Sequence, residues 1–216
     1  MDLKYVDLLK LTENKAKLIA KSISKVKKLN LNNTNITPYS LIALLTEAKS
    51  LEELDLTYVN LLELNENKAK LIAKSISKVK KFNLNNSNIN PDSLTALLTN
   101  ANSLEELDLA NVDISELTDE QAKIIAKSIS KVKKLNLNTT NITPDSLISL
   151  LTKAKSLEEL DLGNNDFPNI TSDQAKTIGE LLLPKIKKLD VTDVGMNQNE
   201  LKEILPENVI INRNYF

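Results

Sequence analysis

Histidine and cysteine are absent from this 216-residue chain, so its polar side chains are mainly carboxylates, lysines, amides and hydroxyls. Without cysteine the chain can form no disulfide, thiolate metal site or cysteine nucleophile. Without histidine it lacks the commonest general base and metal ligand, and its three glycines form no glycine-rich phosphate loop. The sequence therefore predicts no catalytic residue, no metal site and no cofactor site, and we expect a protein that is not an enzyme.

Several aspartates recur at a fixed interval along the chain. Asp55, Asp108 and Asp161 occupy the same place in an identical heptapeptide, Ser-Leu-Glu-Glu-Leu-Asp-Leu. Asp190 and Asp193 follow nearer the C-terminal end. Carboxylates at such intervals line up in space only if the chain itself repeats, so their meaning depends on the elements that position them.

The chain is built from an internal repeat. The heptapeptide stands at 50–56, 103–109 and 156–162, and Lys-Val-Lys-Lys-(Leu/Phe)-Asn-Leu-Asn stands at 25–32, 78–85 and 131–138. Units that start at residues 26, 51, 79, 104, 132, 157 and 186 alternate between a short and a long form. Positions within a unit are numbered from these starts, and residues 1–25 match 54–78.

Each unit combines a strand pattern with a helix pattern. Positions 4 and 6 are apolar and flank a polar position 5, which is the period of a half-buried strand. Apolar residues at helical spacing follow, as in Ala16, Ile19, Ala20 and Ile23. Helix-start signals such as Thr37-Pro38 and the capping-box sequence at 118–121 mark where the helices begin. The repeat predicts a parallel ladder of strands on one side and helices on the other.

This pattern, Leu-x-x-Leu-x-Leu-x-x-Asn-x-Leu, resembles that of leucine-rich-repeat proteins, and the alternating unit lengths resemble their ribonuclease-inhibitor-like subfamily. The resemblance implies an α/β fold: a right-handed leucine-rich-repeat solenoid, or horseshoe arc, of about eight units, with a parallel concave sheet and convex helices. It implies a single domain over 1–216, with a partial first unit over 1–25, regular units over 26–185, and a divergent C-terminal unit with an edge strand over 186–216. Within that last part we predict a short helix over 198–205 and a strand over 205–211.

One position departs from the family pattern. Position 9, where the family usually has Asn or Cys, is occupied by Thr34, Val59, Ser87, Val112, Thr140, Asn165 and Val194. We therefore expect the side-chain hydrogen bonds of this turn to be weakened or replaced by packing in most units.

The resemblance also implies which residues face a partner, because positions 3, 5 and 7 of each strand point to the concave face. Position 3 alternates between Lys and Glu, which we interpret first as structural pairing between strands and second as a zwitterionic docking surface. Position 5 forms a mildly acidic stripe, which favours a basic partner. Tyr5 and Tyr58 are the aromatic residues expected on the rim, with packing along the turn as the alternative. The candidate partner-binding residues are Asp55, Tyr58, Asp108, Asp161, Asp190 and Asp193.

Lysines dominate the expected convex side. Lys15, Lys17, Lys21 and Lys25 recur one repeat later as Lys68, Lys70, Lys74 and Lys78, and again as Lys123, Lys127 and Lys131. We interpret them as a solvated face; anionic lipid and nucleic acid are the alternatives. No nucleic-acid partner is expected, because interleaved aromatic residues for base stacking and arginines for base contacts are lacking.

The expected function is that of a non-enzymatic protein–protein interaction module, similar to the leucine-rich-repeat effectors of intracellular bacteria. The alternatives are a GTPase-activating or other enzyme-regulating leucine-rich-repeat protein, and a resident cytosolic scaffold. We expect a monomer with another protein as partner and no membrane span, since no apolar run is long enough. The N-terminus has no signal-peptide pattern, so the expected location is the cytoplasm, or a host cell reached by a route without such a signal.

Overall fold

The computed structural model describes residues 1–167, 170–183, 185–197, 200, 202, 204 and 210–212. Its helices are α1 Glu13–Ser22, α2 Pro38–Leu45, α3 Glu66–Ser75, α4 Pro91–Leu98, α5 Asp119–Ser128, α6 Pro144–Lys153 and α7 Ser172–Leu182. Its strands are β1 Lys28–Asn30, β2 Glu53–Asp55, β3 Lys81–Asn83, β4 Glu106–Asp108, β5 Lys134–Asn136, β6 Glu159–Asp161, β7 Lys188–Asp190 and β8 Ile210–Asn212. Strands and helices alternate as the repeat predicts.

The strands form one open parallel sheet in chain order from β1 to β8. Equal positions of successive units lie opposite each other, as Leu29 does to Leu54 and Leu54 to Phe82. The partial first unit continues the ladder beyond β1, where Asp2 bridges Asn30 in parallel. The predicted parallel ladder is therefore confirmed.

A single apolar layer joins the sheet to the helices. Leu29, Leu54 and Phe82 at position 4 are each about 2% exposed, and the position 6 leucines behind them are equally buried. Burial of one such side chain stabilises the fold by roughly 1.5–3 kcal/mol. Because every unit repeats the same two positions, the core runs through all the stacked units.

The helices begin where the sequence signals place them. Thr37 caps α2 with Pro38 at its first position. At α5 and α7 both hydrogen bonds of the capping box form, between Thr118 and Gln121 and between Thr171 and Gln174. Each cap satisfies backbone N–H groups that the first helical turn leaves without partners.

A buried serine connects each short-unit helix to the preceding unit. Ser40, Ser93 and Ser146 at the third position of α2, α4 and α6 are almost completely buried. Their hydroxyl groups donate to the backbone oxygens of Leu11, Leu64 and Leu117, with a distance of 3.2 Å for the last pair. These bonds join the units on the helical side, where the sheet ladder cannot reach.

The turn at position 9 is held in several ways. Val59, Val112 and Val194 are buried and pack there, as expected. Thr34 and Thr140 donate at 2.8 Å to the carbonyl oxygen three residues earlier, and Asn165 Nδ2 donates to Leu137 O at 2.6 Å and Leu162 O at 2.9 Å. The Ser87 hydroxyl is buried and has no hydrogen-bond partner among the residues that the structure describes. The threonines thus keep part of the bonding that the departure from Asn was expected to remove.

The C-terminal region agrees with its prediction where it is described. β8 covers residues 210–212 and pairs in parallel with β7. Residues 205–209 of the predicted strand lie outside the described residues. Residues 200, 202 and 204 of the predicted helix are helical, whereas its other residues lie outside that range. No helix in the described part of the chain is long and apolar enough to cross a membrane.

We expect Ser146→Ala to lower the free energy of unfolding by about 1–2 kcal/mol, because the buried Leu117 carbonyl loses its donor. Urea unfolding at equilibrium measures this change. Ser172→Ala is the matched control, since Ser172 lies exposed in the first turn of α7. Equal stability of the two variants would show that the serine bond contributes nothing.

Candidate functional site

The sheet face that carries no helices forms a long groove of about 750 Å³. Residues from β1 to β7 line it, together with Met1 and Asp2 of the partial first unit. Side chains at positions 3 and 5 provide its polar surface, so the strands place the predicted partner-facing rows on one face. We call this surface the concave face.

The lysines and glutamates of position 3 are paired within the molecule. Lys28, Lys81 and Lys134 contact Glu53, Glu106 and Glu159 respectively, each at 2.9 Å. Every one of these pairs joins a short unit to the long unit that follows it. Each exposed pair contributes only tenths of a kcal/mol, yet together they leave little unbalanced charge in this row. The structural interpretation of the ladder is the one that the contacts support.

A second paired row precedes the strands at position 2. Glu52 lies between Lys27 at 2.9 Å and Lys80 at 3.0 Å. Hydrogen bonds and charge from these two ammonium groups lower the pKa of Glu52 to about 2. Its favourable interactions are present above the ordinary glutamate pKa and are lost as the pH falls toward 2. The charged rows at positions 2 and 3 therefore connect neighbouring strands through ion pairs.

The aspartates and asparagines of position 5 have a backbone role. In every unit the side-chain Oδ1 at position 5 accepts a hydrogen bond from the N–H two residues later, at 2.8–3.0 Å. The residues that do so are Asn30, Asp55, Asn83, Asp108, Asn136, Asp161 and Asp190. Such Asx turns end each strand. The sequence analysis did not predict this role. The alternation of Asn and Asp at one position indicates it, because both residues form Asx turns.

The middle of the acidic row is electrostatically crowded. Burial raises the pKa of Asp108, and the carboxylates of Asp161 and Asp55 on either side raise it further. Hydrogen bonds from the Ala110 backbone N–H and the Asn136 side chain oppose this shift. The row thus presents to the groove carboxylates that repel one another, and a bound cationic group would reduce this repulsion.

At the far end of the row two aspartates become direct neighbours. Asp161 on β6 is paired with Asp190 on β7. Gly163 lies between them, and a Cβ at this residue would lie only 2.7 Å from Asn138 Nδ2 and 3.2 Å from Asp161 Oδ1. Gly163 thus leaves room for the Asn138 side chain, whose Nδ2 donates to Asp161 Oδ1 at 3.3 Å.

Position 8 forms the rim where the chain leaves each strand. All of its residues have a left-handed backbone with φ between 51° and 64°: Tyr5, Asn33, Tyr58, Asn86, Asn111, Thr139, Asn164 and Asp193. Among non-glycine residues, Asn and Asp accept this conformation best. We call this set the strand-exit rim. The left-handed backbone explains why four of its residues are Asn, and the two tyrosines are its aromatic exceptions.

The predicted site residues fall into two groups. Asp55, Asp108, Asp161 and Asp190 lie in one row on the concave face, whereas Tyr58 and Asp193 lie on the strand-exit rim. Tyr58 and Asp193 are five strands apart, roughly 24 Å at the usual spacing. The structure therefore places the aspartates of position 5 in one row, with Asp161 and Asp190 on adjacent strands, but it does not bring Asp193 close to Tyr58, and Asp55 and Asp190 at the two ends of the row are equally far apart.

Two leucines beside the tyrosines were not foreseen. Leu9 and Leu62 are 62% and 66% exposed and follow Tyr5 and Tyr58 at the same distance in the repeat. Leu62 also forms one wall of a smaller groove of about 390 Å³, which Asn111 and Glu116 line on the other side. The sequence feature that could have revealed them is a pair of consecutive leucines, at 8–9 and again at 61–62, of which only the first is buried.

The fold was compared with known proteins. The leucine-rich repeat-containing protein LegL7 from Legionella pneumophila has a similar structure, with a TM-score of 0.61 and 17% sequence identity over 94% of this chain and 68% of that one. Neither a protein-family model nor a curated protein matches the sequence. At this identity the likeness concerns the fold, and the expected leucine-rich-repeat fold is confirmed. Such a fold suits a protein-interaction module.

We expect Asp108→Asn to raise the free energy of unfolding at neutral pH by about 0.5–1 kcal/mol, as favourable charge substitutions commonly do. Asn keeps the Asx turn, as Asn83 and Asn136 do on the adjacent strands, and removes a repelled charge. Because the folded-state pKa of Asp108 is raised, wild-type stability falls as the pH rises through the interval between its unfolded and folded pKa values. The gain should therefore be full above that interval and vanish below it.

Urea unfolding of wild type and variant across this pH range measures the effect. Asp108→Ala is the control, because it removes the same charge together with the acceptor for Ala110 N–H, and it should be less stable than Asp108→Asn. A loss of stability in Asp108→Asn at neutral pH would contradict the electrostatic argument.

Proposed function

We propose that this leucine-rich-repeat chain is a non-enzymatic protein-interaction module that holds a partner protein on the concave face and the adjoining strand-exit rim. The observation that carries the proposal is Tyr58, a bulky aromatic residue in a left-handed backbone conformation with its side chain 58% exposed. Four other units have Asn at this position.

The fold alone does not account for Tyr58. A left-handed conformation costs a residue with a Cβ about 1 kcal/mol or more, and an exposed ring returns little of this through burial. Tyr5 repeats the arrangement two strands away, roughly 10 Å at the usual spacing, with its ring 65% exposed. Lys4 Nζ lies 4.7 Å from the centre of that ring. Backbone strain that no packing interaction offsets is typical of binding sites. Tyrosine is also enriched at the centres of protein interfaces.

The chemistry of the neighbouring surface indicates the kind of partner. Tyr58 lies three residues after the end of β2, whose Asp55 begins the acidic row that continues through Asp108, Asp161 and Asp190. The lysines and glutamates beside this row are paired with each other and offer little net charge. A partner that presents apolar or aromatic groups to the rim and basic groups to the acidic row would fit both. Its charge would contribute mainly to association rate and selectivity.

We further propose that the chain acts as a bacterial effector on a protein of a host cell. Its resemblance to the repeat proteins of intracellular bacteria and its structural likeness to the Legionella protein support this extension. The site of action would be the host cytoplasm. A reporter fused to the chain and followed during infection tests this step: lack of translocation would leave the interaction module as a resident cytoplasmic protein of the bacterium.

Affinity capture from host cytosol with identification by mass spectrometry tests the interaction. The variant that combines Tyr58→Asn, Asp108→Asn and Asp161→Asn should lose at least tenfold in captured partner, because it removes the aromatic ring and two charges from the proposed surface. Asparagine preserves the backbone geometry at all three positions, so the fold should remain intact. Tyr39→Asn is the matched control, because Tyr39 is equally exposed but lies in the first turn of α2. Undiminished capture by the triple variant would contradict the proposed surface.

We expect Tyr58→Asn alone to raise the free energy of unfolding by about 0.5–1 kcal/mol, because asparagine tolerates the left-handed conformation better. The same change should weaken partner capture, so stability and binding should move in opposite directions. Urea unfolding measures the first effect and capture the second. A variant that is less stable than wild type would show that the tyrosine ring serves the fold.

A further inference from the structure

The outer surface of the helical layer is formed mainly by the helices of the long units. These are α1, α3, α5 and α7, and the short-unit helices lie between them. α4 shows the arrangement most clearly, because all its residues from 93 to 98 are buried. The long-unit helices therefore present the side chains that an object approaching this side would meet first.

A leucine occupies the outermost position of the first two long-unit helices. In α1 the buried side is marked by Ala16 and Ala20, and Leu18 lies two residues beyond Ala16, about 200° around the helix. Leu18 is 66% exposed, and its equivalent Leu71 on α3 is 52% exposed. The normal amphipathic pattern places polar residues at such a position, so these leucines are not explained by packing.

Lysines surround both leucines. Lys17, Lys21 and Lys25 accompany Leu18, and Lys70, Lys74 and Lys78 accompany Leu71. These eight residues are the basic ridge. Two lysines of the ridge form ion pairs on their own helices, Lys17 with Glu13 and Lys70 with Glu66.

The other four lysines of the ridge form no ion pair within the described residues. On α5 and in the turn after it the equivalent lysines remain, as Lys123, Lys127 and Lys131, but Ile124 at the position of Leu71 is half-buried. On α7 Thr177 and Glu180 stand at the positions of Leu71 and Lys74. Exposed leucines and lysines therefore occur together at α1 and α3, whereas the positive charge extends further, to α5.

We propose that the basic ridge docks on an anionic lipid surface. Leu18 and Leu71 enter the boundary between headgroups and acyl chains, while Lys21, Lys25, Lys74 and Lys78 contact lipid phosphate and carboxylate groups. Apolar residues flanked by lysine on one helical face are the combination that binds such interfaces. A nucleic acid would be attracted by the lysines alone and would gain nothing from the leucines, since it offers them no apolar phase.

This inference goes beyond the proposed protein-binding function, because it concerns the opposite side of the molecule. A chain that lies on a membrane through the basic ridge directs its concave face and its acidic row away from the lipid. The partner-binding surface then stays accessible, and the anionic membrane does not repel it at contact distance. The two surfaces can therefore be tested separately.

Co-sedimentation with lipid vesicles tests the docking surface. We expect the purified chain to bind vesicles of phosphatidylcholine mixed with phosphatidylserine and not vesicles of phosphatidylcholine alone, with binding that falls as salt is raised. The double variant Lys21→Gln with Lys74→Gln should bind about 25-fold more weakly, at about fivefold for each lysine. Leu18→Ser with Leu71→Ser should also reduce binding at least fivefold, although it leaves the charge unchanged.

The matched control is Lys153→Gln with Lys155→Gln, which removes the same charge from exposed residues outside the ridge. It should bind as wild type does, and unfolding curves of all variants should coincide. Failure of wild type to bind the anionic vesicles would overturn the proposal, and so would equal loss in the control or unchanged binding by the leucine variant. Binding to a duplex oligonucleotide that is as tight as vesicle binding and independent of the leucines would also overturn it.

Discussion

The hydrogen bonds between successive parallel strands are the constraint on which the rest of the molecule depends. They hold equal positions of neighbouring units about 4.8 Å apart, so each position of the repeat becomes a row across the sheet. A residue type that occupies one position of the repeat therefore contacts its equivalents on the neighbouring strands, and these contacts form a line across the sheet. Leucine at position 4 becomes a continuous core. Lysine and glutamate at position 3 become paired charges, as between Lys28 and Glu53, because the units alternate in sign.

The same constraint explains why side chains that resemble a binding surface also serve the backbone. A row of aspartates on an exposed sheet face suggests recognition, yet Asp55, Asp108 and Asp161 each hold an N–H group two residues later. Asparagine performs this task in the intervening units without charge. Since the turn requires only the side-chain oxygen, the charge of the aspartates is a separate property. The proposed binding role and the backbone role thus fall on the same residues, and changes to asparagine separate them.

The turn at the end of each strand restricts position 8 to a left-handed backbone. Residues at this position that do not favour such a backbone are therefore informative about function. Asn33 and Asn86 adopt the conformation readily, whereas Tyr5 and Tyr58 adopt it at a cost. The exposed leucines Leu18 and Leu71 on the helical side are exceptions of the same kind, as apolar groups at positions that the repeat elsewhere leaves less exposed. In a chain of near copies, residues that break the local rule indicate function better than those that repeat.

The sequence by itself determined the order of strands and helices, the helix starts at Thr118 and Thr171, and the parallel ladder, because these follow from local periodicity and capping chemistry. It also identified Tyr58 as an exception. Only the tertiary structure decided which lysine pairs with which glutamate, that Ser146 bonds to the preceding unit, and that Tyr58 and Asp193 lie far apart. These outcomes depend on distances between units that are remote in the chain. Such distances are fixed by how the units stack, and no pattern within a single unit contains them.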